Sequence, residues 1–310
     1  MKGETLEKYL PLDKSWTINI GVLDSLHGYD DTIKFLEKQK NLGDDLNALY
    51  RASLDWKAGN DVFVGESGSL FRRLQFISWK YNLNKTFIKK GTLLTRDIYN
   101  NPNIINFSLE ELLKLKLDNG TSQWPSAKLL SDGEWTQVNE LEKKGIGIPY
   151  KLKVTRDALK HWTIKRAEGE SWEPKYDETI KNQAKAYIAI LQGKRPDFIS
   201  EQAEDYCFAR ALKYETKEFE SLKGHESNRI KAMDEVLKVD YNKEKINSDD
   251  HRVVQAMAMQ IKAANLHWDV KRIKDIFSNS DCVSKSWPLF WEFMEQYDSI
   301  KGTYTIKTQI

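Results

Sequence analysis

The chain has 310 residues, of which 30% are charged, with a formal net charge of +2 and a mean hydropathy of -0.63. That length holds two domains with a core each, and the near-neutral charge balance excludes bulk attraction to a polyanion, so no nucleic-acid partner is expected and any basic function must be local. Two cysteines far apart, Cys207 and Cys282, argue against a disulfide frame or a Cys-based zinc site. No apolar leader opens the chain, and no run reaches the ~18 apolar residues of a membrane span, so a cytoplasmic protein without a membrane partner is expected.

Taken in order, Asp13-Lys14-Ser15-Trp16-Thr17 precedes an apolar helical run from Ile20 to Leu26. A Lys and two hydroxyls at a helix start suit a phosphate or carboxylate, but ordinary capping is the default reading. Val62 to Leu74 reads as strand, tight glycine loop and helix, with Gly65 and Gly68 bracketing Glu66-Ser67. It is neither a Walker loop nor a GxGxxG fingerprint. Phe87 to Arg96 reads as a strand, Ser108 to Glu111 as a capping box, and Thr121-Ser122-Gln123-Trp124-Pro125 as a polar helix start with Pro in the first turn.

Further on, Tyr150 opens a helix, and Tyr176 to Leu191 forms one that Gly193 ends. The segment from Lys165 to Lys175 reads as a loop or domain crossing. Ser200 to Leu212 starts another helix with Glu204 and Asp205 in its first turn, where acids complement the dipole. Phe219 to Arg229 reads as a strand and turn into a helix over 230–237. Asp249-Asp250-His251-Arg252 then stands at the start of a strongly apolar helix, a natural place to hold an anion, and Cys282-Val283-Ser284-Lys285-Ser286-Trp287-Pro288 follows. The recurring strand, polar loop and helix argue for an α/β chain of similar small units without a strict sequence repeat. Metal-dependent hydrolysis by Asp249, Asp250, His251, His225 and Glu226 has no HExxH or comparable spacing behind it, so no metal and no cofactor is expected.

The order Lys14-Ser15, Gly65-x-x-Gly68-Ser69 with Arg72, Arg96, Thr121-Ser122-Gln123, Pro149-Tyr150, His225-Glu226-Ser227-Asn228-Arg229, Asp250-His251-Arg252 and Lys285-Ser286-Trp287-Pro288 resembles the enolpyruvyl transferase family. It is most like the 3-phosphoshikimate 1-carboxyvinyltransferase (EPSP synthase) branch. The resemblance implies a two-domain inside-out α/β barrel of repeated βαβαββ units, short of the usual length by about the size of one unit. One discontinuous domain would take residues 1–12 with 196–310, an inserted domain residues 13–195, and the active site would lie in the cleft between them. The implied reaction moves the enolpyruvyl group of phosphoenolpyruvate (PEP) to a hydroxyl, with shikimate 3-phosphate the leading acceptor. The alternatives are another phosphorylated or hydroxylated acceptor, or a non-catalytic descendant that binds an anionic metabolite. A monomer is expected.

Carried over residue by residue, Lys14, Arg96, Arg229, Arg252 and Lys285 would hold PEP with Gln123 beside them, and Glu226 would be an acid/base group near the methylene. Ser15, Gly68, Arg72, Thr121, Ser122, Tyr150 and His225 would complete the substrate contacts. The general base falls on Asp205 or on Asp197, two placements that compete. The chain departs from the family at Asn19 (an Arg there), Glu66 (an Asn), His225 (a Lys) and Gly147 (a Ser), on or next to the acceptor side.

Overall fold

Apolar runs alternating with polar loops form helices, not strands, through most of this chain. The computed structural model describes residues 4–59, 61–118, 123–196, 205–213 and 227–297. It is mostly helical, 62% helix against 4% strand. In order the elements are α1 (Glu4–Glu7), α2 (Lys14–His27), α3 (Asp31–Glu37), α4 (Asp44–Ala58), β1 (Val62–Gly65), α5 (Gly68–Lys80), β2 (Phe87–Lys89), α6 (Leu109–Lys114), α7 (Gln123–Asp132), α8 (Thr136–Lys143), α9 (Tyr150–Ala167), α10 (Glu178–Leu191) and α11 (Asp205–Leu212). Helices Ser227–Val236, His251–Ala264, Val270–Asp275 and Phe290–Gln296 follow.

The expected α/β barrel of repeated βαβαββ units is therefore wrong. Among the described residues the one sheet is the parallel pair of β1 and β2, joined through α5, with Val62 opposite Phe87 and Phe63 opposite Ile88. The expected strand from Phe87 to Arg96 stops at Lys89, because Gly91 turns the backbone to φ +49° and opens a 3-10 turn over Gly91–Leu94. The strands read at Val62 and Phe87 are present, so the barrel came from the resemblance in motif order and not from those apolar runs.

The chain divides into two compact units, residues 1–11 with 176–310 and residues 12–175. The continuous unit surrounds α2, which is buried from Trp16 to Asp24 without a polar face. A helix buried on every side belongs at the centre of a core. Asp13 caps its start by accepting from the Trp16 N–H at 2.9 Å, and α9 and α4 pack on its sides. Gly21 permits close approach of α4, since a Cβ there would lie 2.8 Å from Leu49 Cδ1 and 3.0 Å from Thr32 Cγ2. Asp24, at the buried end, accepts from Arg166 Nη2 (2.7 Å), Trp162 Nε1 (2.8 Å), Thr32 Oγ1 (2.7 Å) and the Thr32 N–H (3.0 Å).

The discontinuous unit is built the same way around the helix His251–Ala264. That helix is buried from Arg252 to Met259 and again from Ile261 to Ala263, with Gln260 half-buried between them. Buried Trp287 packs 4.8 Å from Phe293 and donates through Nε1 to the Tyr9 carbonyl at 2.7 Å, which holds the N-terminal segment on this core. Two substitutions test the packing of the continuous unit. Asp24→Ala leaves the Arg166 charge without its buried partner and is expected to cost about 3–5 kcal/mol in urea unfolding. Gly21→Val should cost about 1–3 kcal/mol by forcing α2 and α4 apart, whereas Glu110→Gln, on an exposed i,i+4 pair with Lys114, should leave the midpoint unchanged.

Candidate functional site

The glycine loop that follows β1 is set by its backbone. Gly65 sits at φ +55°, Ser67 caps α5 by accepting from the Leu70 N–H, and α5 begins at Gly68. Two guanidinium groups converge on that helix start. A Cβ on Gly68 would lie 3.0 Å from Arg72 Nη1 and 3.1 Å from Arg96 Nη1, so a side chain there would press on both guanidinium groups. Arg72 Nη1 also donates to the Gly68 carbonyl (3.2 Å) and to Gln123 Oε1 (3.1 Å), which brings the first residue of α7 to the same corner. Gly68, Arg72, Arg96 and Gln123, spread along the sequence, thus meet at one helix N-terminus. Helix starts and guanidinium groups both favour an anion.

The two arginines are in different states. Arg72 is buried and forms a two-point pair with the buried carboxylate of Asp118, Nε to Oδ2 at 3.2 Å and Nη2 to Oδ1 at 3.1 Å. Asp118 Oδ2 also accepts from the Tyr99 N–H (3.0 Å) and Trp124 Nε1 (3.1 Å). Arg96 is exposed, and its Nη2 donates to the Thr92 hydroxyl at 2.9 Å. That hydroxyl donates in turn to Glu66 Oε2 at 3.2 Å. Glu66 therefore sets a carboxylate beside the basic corner, and its Oε1 would lie 1.9 Å from a Cβ on Gly91.

A second basic group lies in the discontinuous unit. Asp250 caps the helix His251–Ala264, accepting from the Arg252 and Val253 N–H groups at 2.9 and 3.3 Å, and its Oδ2 takes Arg229 Nε at 2.8 Å. Burial pushes the Asp250 carboxyl upward, and the Arg229 charge and hydrogen bond, with His251 and the Arg252 N–H, outweigh it, so the group titrates below the ordinary 3.8. Arg252 is buried in the first turn. Gln255, one turn on, donates to the Val283 carbonyl (3.2 Å) and the Ser286 hydroxyl (3.1 Å), fixing the segment that carries exposed Lys285. Asp249 is held by Asn279 Nδ2 at 2.7 Å.

No family model, curated protein or solved structure matches this chain. Lys14 is exposed and pairs with Asp45 at 3.0 Å, and Ser15 follows it in the first turn of α2. Tyr150 is the exposed first residue of α9. Asp205 begins α11, but its side chain lies outside the described residues, as do Asp197, Thr121, Ser122, His225 and Glu226. Among the described residues no three His, Cys, Asp or Glu side chains are grouped to hold a metal ion.

Asn19 is fully buried on α2. Its carbonyl accepts from Arg73 Nε at 2.8 Å, and its amide donates to the Thr155 hydroxyl at 3.1 Å. Arg73 also donates to the Ser69 carbonyl at 2.9 Å and to the Ser69 hydroxyl. Burial first, and Arg72 beside it second, pull the Arg73 guanidinium down to about 10, with Asp45 acting the other way. Sequence reading missed Arg73 and Asp118. The Arg72-Arg73 pair on an otherwise apolar helix was the available signal, because a charge on a buried face requires a partner.

Two outcomes follow from these contacts. Arg72→Met strands the Asp118 carboxylate and should lower stability by about 3–5 kcal/mol in denaturant titration, whatever the ligand. Because the folded-state pKa of Asp250 is depressed, its contribution is present above the unfolded value near 3.8 and lost as pH falls through the folded value. Wild-type stability should therefore decline more steeply below about pH 4 than that of Asp250→Asn, measured by thermal unfolding across pH.

Proposed function

We propose that the chain binds PEP and transfers its enolpyruvyl group to a hydroxyl acceptor, with shikimate 3-phosphate the first acceptor to test. The observation that carries this reading is the meeting of Gly68, Arg72, Arg96 and Gln123 at the start of α5. The resemblance in motif order assigns all four to substrate contacts. Arg96 carries the accessible charge of the group, and the first-turn N–H groups of α5 add donors for a phosphate or carboxylate. By the same resemblance Lys14 also acts on PEP, and Ser15 and Tyr150 are substrate contacts.

In this reading a proton adds to the PEP methylene carbon and leaves the adjacent carbon cationic. The acceptor oxygen bonds to that carbon and loses its proton to a general base. The carbon–oxygen bond to phosphate then breaks, phosphate leaves, and loss of a proton from the new methyl group restores the double bond. Fixed cations near the departing phosphate stabilise the charge that develops on it.

A second reading, binding of an anionic metabolite without turnover, is favoured by a specific observation. Arg72 and Arg229 are already neutralised by Asp118 and Asp250. Phosphate release from PEP, measured with shikimate 3-phosphate and with other hydroxyl acceptors, separates the two. Acceptor-dependent release is expected in the wild type, with kcat/KM reduced about 10- to 100-fold in Arg96→Gln, the loss of one charge-assisted contact. Saturable PEP binding with no release from any acceptor would leave only the second reading, and no PEP binding would remove the first.

A further inference from the structure

A pocket of about 270 Å³ opens beside β2, lined among others by Lys85, Lys89, Arg96, Gln75, Tyr99 and Phe71. Its lining holds three cations and no carboxylate. Among the described residues, none of the three cations has an acidic partner within ion-pair distance. Lys89, half-buried at the end of β2, lies 3.9 Å over the Phe71 ring, and Phe87 meets that ring edge-on at 5.5 Å. The Lys85 N–H donates to the Ser78 hydroxyl at 3.1 Å, and its ammonium donates to the Trp56 carbonyl at 3.5 Å and sits 5.2 Å from the Trp56 ring.

We infer that this pocket is a phosphomonoester site, in which Lys85, Lys89 and Arg96 hold the phosphate while Gln75, Tyr99 and Asn100 supply polar contacts to a hydroxylated body. Like charges gathered in one pocket repel, and a dianion in their midst turns that repulsion into attraction. A phosphomonoester is the ligand class that brings close to two negative charges and several acceptor oxygens on one small group. The partly desolvated Lys89 ammonium, held below its ordinary value by burial, is returned toward that value by a bound anion. The amides and hydroxyl in the lining, from Gln75, Asn100 and Tyr99, favour a hydroxylated body over an aromatic one. Arg96 is shared with the enolpyruvyl reading, but Lys85 and Lys89 have no part in it, so the pocket stands or falls separately.

The test is calorimetric titration of the full chain at low ionic strength with glycerol 3-phosphate and with inorganic phosphate. Wild type is expected to bind one equivalent of glycerol 3-phosphate, more tightly than inorganic phosphate. Lys85→Gln with Lys89→Gln should weaken that binding about 30-fold or more, with an unchanged circular dichroism spectrum. Lys231→Gln with Lys243→Gln, which removes the same charge from exposed positions on the other unit, should leave the affinity within about twofold. No saturable binding, equal affinity in the Lys85/Lys89 variant, or no preference for the ester over inorganic phosphate would overturn the proposal. Binding without PEP turnover upholds the pocket and removes the enolpyruvyl reading, whereas turnover without glycerol 3-phosphate binding does the reverse.

Discussion

Each unit of this protein depends on one helix that is buried along nearly its whole length, Trp16 to Asp24 in the continuous unit and Arg252 to Ala263 in the discontinuous one. Such a helix supplies a core without needing a sheet, since its apolar residues face neighbours in every direction. The same burial places a demand on every polar residue that the helix carries. Each must find its partner inside the protein, because water does not reach it.

That demand accounts for the polar architecture around the two helices. Asp24 collects a guanidinium, an indole and both groups of Thr32. Asn19 takes Arg73 and Thr155, which explains why a buried arginine keeps its charge away from any direct carboxylate bond. In the discontinuous unit, Lys262 places its ammonium on the carbonyls of Leu266 and Trp268 at 2.8 and 2.6 Å, and Gln255 spans to the segment that carries Lys285. The basic corner at Gly68 grows out of the same framework. Arg72 is committed to Asp118 within the fold, which leaves Arg96 as the cation of that corner turned toward solvent.

Local signals in the sequence were legible where chemistry fixes the backbone. The strand, glycine loop and helix from Val62 to Lys80, the Ser108 capping box, the proline in the first turn of α7, and the acidic start of the helix His251–Ala264 all depend on neighbours in sequence. The global architecture was not legible, because the resemblance in motif order implied a sheet-built barrel, whereas the described residues hold one two-stranded sheet and are mostly helical. Which elements pack together depends on contacts distant in sequence, which local periodicity does not report. Asp118 escaped notice for a related reason. Its role comes from Arg72, Tyr99 and Trp124, which only the fold brings to it.

The central claim is that the start of α5, with Arg96 beside it, receives the anionic end of PEP. The most direct measurement is a nitrogen-15 NMR titration of the full chain with PEP, following the Gly68 and Ser69 amides and the Arg96 side-chain Nε. The account predicts that these signals move together and saturate at a common concentration. Saturable shifts confined to other residues, or no shifts at all, would contradict it.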